Sequence, residues 1–128
     1  MKKMLAAVAC GGLAYLSLGP LSIAGEVKYF RVSVNLDENQ ASGDLRSARH
    51  DPADGVMIRC EATLGLSVPY ARCEARDWQG DYTYCWTFDP SMIQAVSQAM
   101  PGGFIYFQYD PNHQCSAVQF SVDSRLID

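Results

Sequence analysis

Histidine is scarce in this chain. Only His50 and His113 occur among 128 residues, neither stands in an H-E-x-x-H pattern, and no G-x-S-x-G is present. Metalloprotease and serine-hydrolase chemistry in their usual sequence forms is thereby excluded. Basic charge is also short: ten Lys and Arg face fourteen Asp and Glu, for a formal net charge of −4. A nucleic acid is held through cationic side chains that displace its counterions, so no nucleic-acid partner is expected. Tight C-x-x-C pairs are missing, because Cys60, Cys73, Cys85 and Cys115 follow one another at separations of 13, 12 and 30. A four-thiolate zinc site is not expected from such spacing. Asn35, Asn39 and Asn112 all lack the hydroxyl residue of a glycosylation sequon. Internal repeats and low-complexity tracts are absent as well.

The longest uncharged run stands at the start. Lys2 and Lys3 precede an apolar stretch from Met4 to Leu18, which Gly19 and Pro20 break before Ser22-Ile23-Ala24. Positive, apolar, then small is the order of a secretory signal peptide, so residues 1–24 are expected to be cleaved. A retained anchor would need a stable spanning helix, which Gly11, Gly12, Gly19 and Pro20 weaken. Lipoprotein processing before Cys10 lacks the usual leucine in Ala7-Val8-Ala9. Residues 25–128 are then expected to form one small disulfide-stabilised domain, secreted or periplasmic, with no membrane span after cleavage. Lys2 and Lys3 leave with the signal, so eight basic residues face fourteen acidic ones, a formal charge of about −6. Four cysteines also remain, an even number in an oxidising compartment, which points to two disulfides.

Along the mature chain, Phe30, Val32, Val34 and Leu36 alternate with polar residues and predict a half-buried first strand over residues 29–36. The polar stretch 37–54 reads as a long ordered loop with one short helix at most, closed by the turn signal Asp51-Pro52-Ala53-Asp54-Gly55. Residues 56–64 and 70–77 predict two strands around a turn. One antiparallel register sets Cys60 opposite Cys73, Arg59 opposite Glu74 and Glu61 opposite Arg72, aligning cysteines on one face and opposite charges on the other. Residues 82–88 predict the third strand of this meander. Asp89 or Ser91 can then cap a helix running to about Met100, with Ile93, Val96 and Met100 at core spacing, and Pro101-Gly102-Gly103 ends it. A last hairpin sets Ile105, Phe107 and Tyr109 against Phe120, Val118 and Ser116.

The expected fold is α+β: an antiparallel sheet of about six strands, meander plus hairpin, with one main helix on a face. Pairing Cys60 with Cys73 leaves Cys85 with Cys115. A Cys73 to Cys85 bridge also suits a hairpin register, so both connectivities stay open.

Few residues carry chemistry. His50, Asp51 and Asp54 could form a metal or acid/base cluster for a small hydrolase, although such residues usually serve as turn formers. His113, in a Pro-Asn turn, is expected to be solvent-exposed. Glu61, Glu74, Asp77 and Asp81 are the candidates for paired carboxylates, but Glu61 and Glu74 already face arginines. The strongest feature is aromatic: Tyr82, Tyr84, Trp86 and Phe88 share one face of their strand, beside Arg72 and Arg76. Left exposed, that row is a candidate surface for a protein or glycan partner; covered by the helix or the long loop, it is a second layer of core.

Several segments together resemble a group of small exported bacterial proteins of uncharacterised function with a four-cysteine mature domain. They are Ala48-Arg49, Asp54, Ile58-Arg59-Cys60, the run from Ala71 to Asp77, Tyr84-Cys85-Trp86 and the turn from Asp110 to Cys115. His50-Asp51-Pro52 departs from the Asn-Ser expected after the Ala-Arg. The resemblance implies compartment and cysteine framework, and carries over no catalytic residue and no cofactor. The expected function is a non-enzymatic binding protein of the envelope or extracellular space. A periplasmic inhibitor or immunity-type protein is the alternative, ahead of a metal-assisted hydrolase at His50, Asp51 and Asp54.

Overall fold

A computed structural model describes residues 29–99 and 103–122. The expected signal peptide, its cleavage site and Met100 lie outside the described residues. The elements run β1 (Ser33–Asn35), β2 (Gln40–Asp44), α1 (Leu45–His50), β3 (Met57–Thr63), β4 (Tyr70–Arg76), β5 (Tyr82–Thr87), α2 (Pro90–Ser97), β6 (Phe104–Tyr109) and β7 (Cys115–Ser121). Not one sheet but two are present, in the orders β1-β2-β6-β7 and β3-β4-β5, and every strand pairing within them is antiparallel. Their inner faces share one core, in which Val32, Val34, Ile105 and Phe107 of one sheet meet Ile58, Cys73, Ala75 and Cys85 of the other. No helix among the described residues is long and apolar enough to cross a membrane.

The first strand is shorter than its alternation suggests. Val32 and Val34 are buried, but Phe30 and Leu36 are exposed at the two ends. Phe30 instead meets Phe104 edge-on, with ring centroids 5.4 Å apart. Asn35 accepts a hydrogen bond from Glu38 N, and Asn39 takes a left-handed φ of 53°, so the chain turns straight back into β2. This strand occupies part of the expected loop. Gly43 is indispensable to it, because a Cβ there would stand 2.8 Å from Val32 Cα. Asp44 ends the strand fully buried and caps α1, accepting from Ser47 N, Ser47 Oγ and Phe30 N.

In the meander, the cysteine and charge register holds from Met57 opposite Arg76 to Thr63 opposite Tyr70. The disulfides are Cys60–Cys73 and Cys85–Cys115, the second joining the two sheets. Cys73 also faces Cys85 on β5, so three cysteines stand abreast on the inner face. Antiparallel pairs alternate between narrow and wide, and a residue that is narrow on one side is wide on the other. The Cα atoms of Cys60 and Cys73 are 4.0 Å apart, in the narrow class, which leaves the wide one for Cys73 and Cys85.

The last hairpin sets Ile105 against Phe120 and Phe107 against Val118, as its apolar alternation predicts. A bulge between Gln108 and Tyr109 then moves Tyr109 opposite Cys115 rather than Ser116. That single-residue shift turns Cys115 inward, where it meets Cys85. Helix α2 starts at Asp89, which accepts from Ser91 N and Met92 N, with Pro90 in the first turn. Its Ile93 and Val96 form a second cluster with Ala71, Cys60, Ala62, Val118 and Phe120, on the inner side of the meander.

Candidate binding surface

Because side chains alternate along a strand, the three-stranded sheet sends every second residue outward. The register arranges these in cross-strand rows: Met57, Arg76, Tyr82; Arg59, Glu74, Tyr84; Glu61, Arg72, Trp86; and Thr63, Tyr70 beside the end of β5. Tyr82, Tyr84 and Trp86 are half-buried, whereas Phe88 is 53% exposed. The helix packs on the other side, among Ala71, Cys60 and Ala62. The aromatic row is therefore not a second core layer beneath α2, and its two ends differ.

At the first end a polar lattice ties the rings down. Glu74 accepts from Arg59 Nε at 2.5 Å through one oxygen and from the Tyr82 hydroxyl at 2.5 Å through the other. Arg72 donates to the Tyr82 oxygen at 3.0 Å and lies 3.4 Å from the Glu74 carboxylate. Arg72 also sits over the Tyr84 ring at 5.1 Å and Arg76 over the Tyr82 ring at 5.3 Å. The Tyr82 hydroxyl bond, and then the Arg59 bond, hold the Glu74 carboxyl below the usual glutamate range. Burial, and then the carboxylate, push the Tyr82 phenol up. Glu61 faces Arg72 in the register, but its ion pair goes to Arg59 at 4.0 Å.

His113 belongs to this tied end and does not stand free in a solvent turn. Its ring stacks between Tyr84 and Tyr109, at centroid distances of 4.4 and 4.9 Å. His113 Nδ1 lies 2.8 Å from the Tyr84 carbonyl oxygen, which can only accept, so Nδ1 carries the proton in this contact. Trp86 N in turn donates to the His113 carbonyl at 2.9 Å. The Asp110 carboxylate receives Asn112 N and Gln114 N and shapes the turn that presents the imidazole. His113 thus stitches β5 to the turn between β6 and β7.

The second end is open. Tyr70, Arg72, Trp86 and Phe88 line a shallow cavity of about 340 Å³, walled by apolar surface. Trp86 and Phe88 meet edge-on at 5.0 Å. Beyond them the turn between β3 and β4 exposes Leu64, Leu66 and Val68, each by more than half. Sequence reasoning took residues 65–69 as a mere turn and missed Tyr70 as part of the surface. The available signal was an absence of charge between Glu61 and Arg72. Two other exposed aromatics each carry a cation on one face: Arg31 lies over Trp78 at 4.7 Å and Arg46 over Tyr29 at 4.9 Å.

The carboxylates considered for catalysis are placed as follows. Asp51 accepts from Arg31 Nε at 2.8 Å and from Ala53 N at 2.9 Å, bonds that lower its pKa in that order. His50 and Asp54 are exposed, and among the described residues no group of three His, Cys, Asp or Glu side chains is placed to hold a metal. Asp77 is buried and receives the backbone N–H of Val34, Gln79 and Asp81, fixing the turn after β4. With Glu74 committed to the lattice, the structure does not assemble a pair of free carboxylates from Glu61, Glu74, Asp77 and Asp81. Comparison with known proteins finds no family model, no curated protein and no solved structure that matches this chain.

Proposed function

We propose that this is an exported, non-enzymatic interaction protein that engages its partner through the open end of the outer face. The observation that carries the reading is the cavity between Tyr70, Arg72, Trp86 and Phe88, an apolar aromatic surface that lies beside the exposed Leu64, Leu66 and Val68. Of the residues singled out in the sequence, Trp86 and Arg72 supply the contact, while Tyr82, Tyr84 and Arg76 form the rigid support behind it. The apolar lining favours an apolar partner over a glycan, since sugar recognition needs polar groups converging on hydroxyls. Two disulfides suit an oxidising compartment and support export, in agreement with the signal-peptide pattern and the resemblance to small exported bacterial proteins. The test is capture of partners from envelope extract by the wild-type protein and by a Trp86→Ala, Phe88→Ala variant. Selective loss of captured material with the variant is the expected result; an unchanged set overturns the proposal.

A further inference from the structure

The open end continues into the turn between β3 and β4, and the residues there are layered. Outermost are Leu64, Leu66 and Val68, exposed by 60, 57 and 59%. Behind them stand Tyr70 and Phe88, then the row holding Glu61, Arg72 and Trp86. Successive outward rows are two residues apart along the strands, about 7 Å. An apolar tip, aromatic rings behind it and the outward charges of β3 and β4 starting at the Trp86 row is the order in which a membrane interface changes from hydrocarbon to headgroup. The depth agrees: interfacial segments bury their apolar part by about 5–10 Å, which brings the Trp86 row to the headgroups when the tip is immersed.

Charge decides which lipid. Glu61 and Arg72 lie in one row, and each is already paired within the sheet, Glu61 with Arg59 and Arg72 with Glu74, so their charges are balanced inside the protein. A charge-balanced row suits a headgroup whose phosphate and amine cancel, and the chain's acidic balance opposes an anionic surface. Asp89 follows Phe88 but turns to cap α2, which packs on the inner side of the sheet. It limits the depth that β5 can reach. We propose that the partner of the open end is a zwitterionic phospholipid surface, into which the 64–68 tip dips while Trp86 and Tyr70 settle among the headgroups. The proposal rests on the open end being the binding surface and names its partner.

The probe is phosphatidylethanolamine and phosphatidylcholine vesicles, with the oxidised mature chain. Trp78→Phe leaves Trp86 as the mature chain's only tryptophan, so its emission reports the contact directly. The expected result is a blue shift and co-flotation with these vesicles, weaker on phosphatidylglycerol vesicles at low salt. Leu64→Ser, Leu66→Ser, Val68→Ser together should cut the bound fraction about ten-fold or more, since they remove the immersed apolar area. Circular dichroism and intact disulfides show that this variant is folded. No flotation, or equal flotation of the triple variant, overturns the lipid proposal. So does a blue shift on concentrating the protein without lipid, which identifies a second copy as the occupant. If envelope capture depends on Trp86 and Phe88 but not on the three tip residues, the binding surface stands and the lipid does not.

Discussion

At one end of the outer face, Tyr82 and Tyr84 commit hydroxyl and rings to Glu74, Arg72, Arg76 and His113. At the other, Trp86 and Phe88 touch each other and border an open cavity with Tyr70. Along the strand these four aromatics read as one stripe of equivalent positions. Their cross-strand neighbours divide it. Glu74, Arg76 and Arg72 all turn their charge to Tyr82 and Tyr84, Arg72 doing so although it lies opposite Trp86, while Thr63 and Tyr70 provide none. A single alternation pattern thus yields a structural half and an available half.

The largest expected effect removes what both ends share. Replacing Cys85 and Cys115 by serine opens a loop of separation 30 and should cost about 3–4 kcal/mol in urea unfolding. Because the bridge holds β5 against the second sheet, both ends should loosen together; a loss confined to one would break the comparison.

Glu74→Ala tests the tied end alone. The Glu74 side chain is nearly buried but Arg59 is half exposed, so the loss should resemble that of charged hydrogen bonds, about 2–3 kcal/mol, rather than that of a fully buried pair. Vesicle or partner capture at the open end should survive in the folded fraction. Acid probes the same lattice more gently. Glu74 has a lowered pKa in the folded chain, so its contribution is in place above the usual glutamate range and disappears as the pH falls through the folded-state value. Tyr82 is raised, and its contribution is full below the usual tyrosine range and lost above the folded-state value. Wild-type melting temperature should therefore fall on both flanks, with the acid flank shallower in Glu74→Gln. Identical acid profiles for the two proteins would count against the lattice.

The smallest effect on stability belongs to the open end. Phe88→Ala removes an exposed ring and should change unfolding free energy by less than about 1 kcal/mol while reducing capture. A large destabilisation would mean that Phe88 is structural, and the distinction between the ends would collapse.

Much of this organisation is legible in the sequence because certain residues constrain one another. Cys60, Cys73 and the two arginine–glutamate pairs fix the β3–β4 register jointly, and the apolar alternation fixes most of β6–β7. Strand β2 gives no such signal: Gln-Ala-Ser-Gly-Asp has neither β-branched nor aromatic residues, and at Gly43 Val32 passes too close for any side chain. The bulge at Gln108 and Tyr109 is likewise silent, and only the inward need of Cys115 hints at it. At the surface, the aromatic row is visible, but its division is not. Stacking of His113 on Tyr84 and Tyr109 joins segments 29 and 4 positions apart, which no local pattern encodes.

Three cysteines abreast have a consequence for how the chain is oxidised. Cys73 can close a ring with Cys60 or with Cys85, at separations of 13 and 12, so chain entropy prefers neither by more than about 0.1 kcal/mol. The choice rests with strand order: a nascent chain whose β4–β5 hairpin zips first presents Cys85 to Cys73 before β3 arrives. Early thiol trapping during oxidative refolding should capture that cross-link, and its later disappearance measures a proofreading step, thiolate exchange toward the narrow pair, on which the yield of native protein depends.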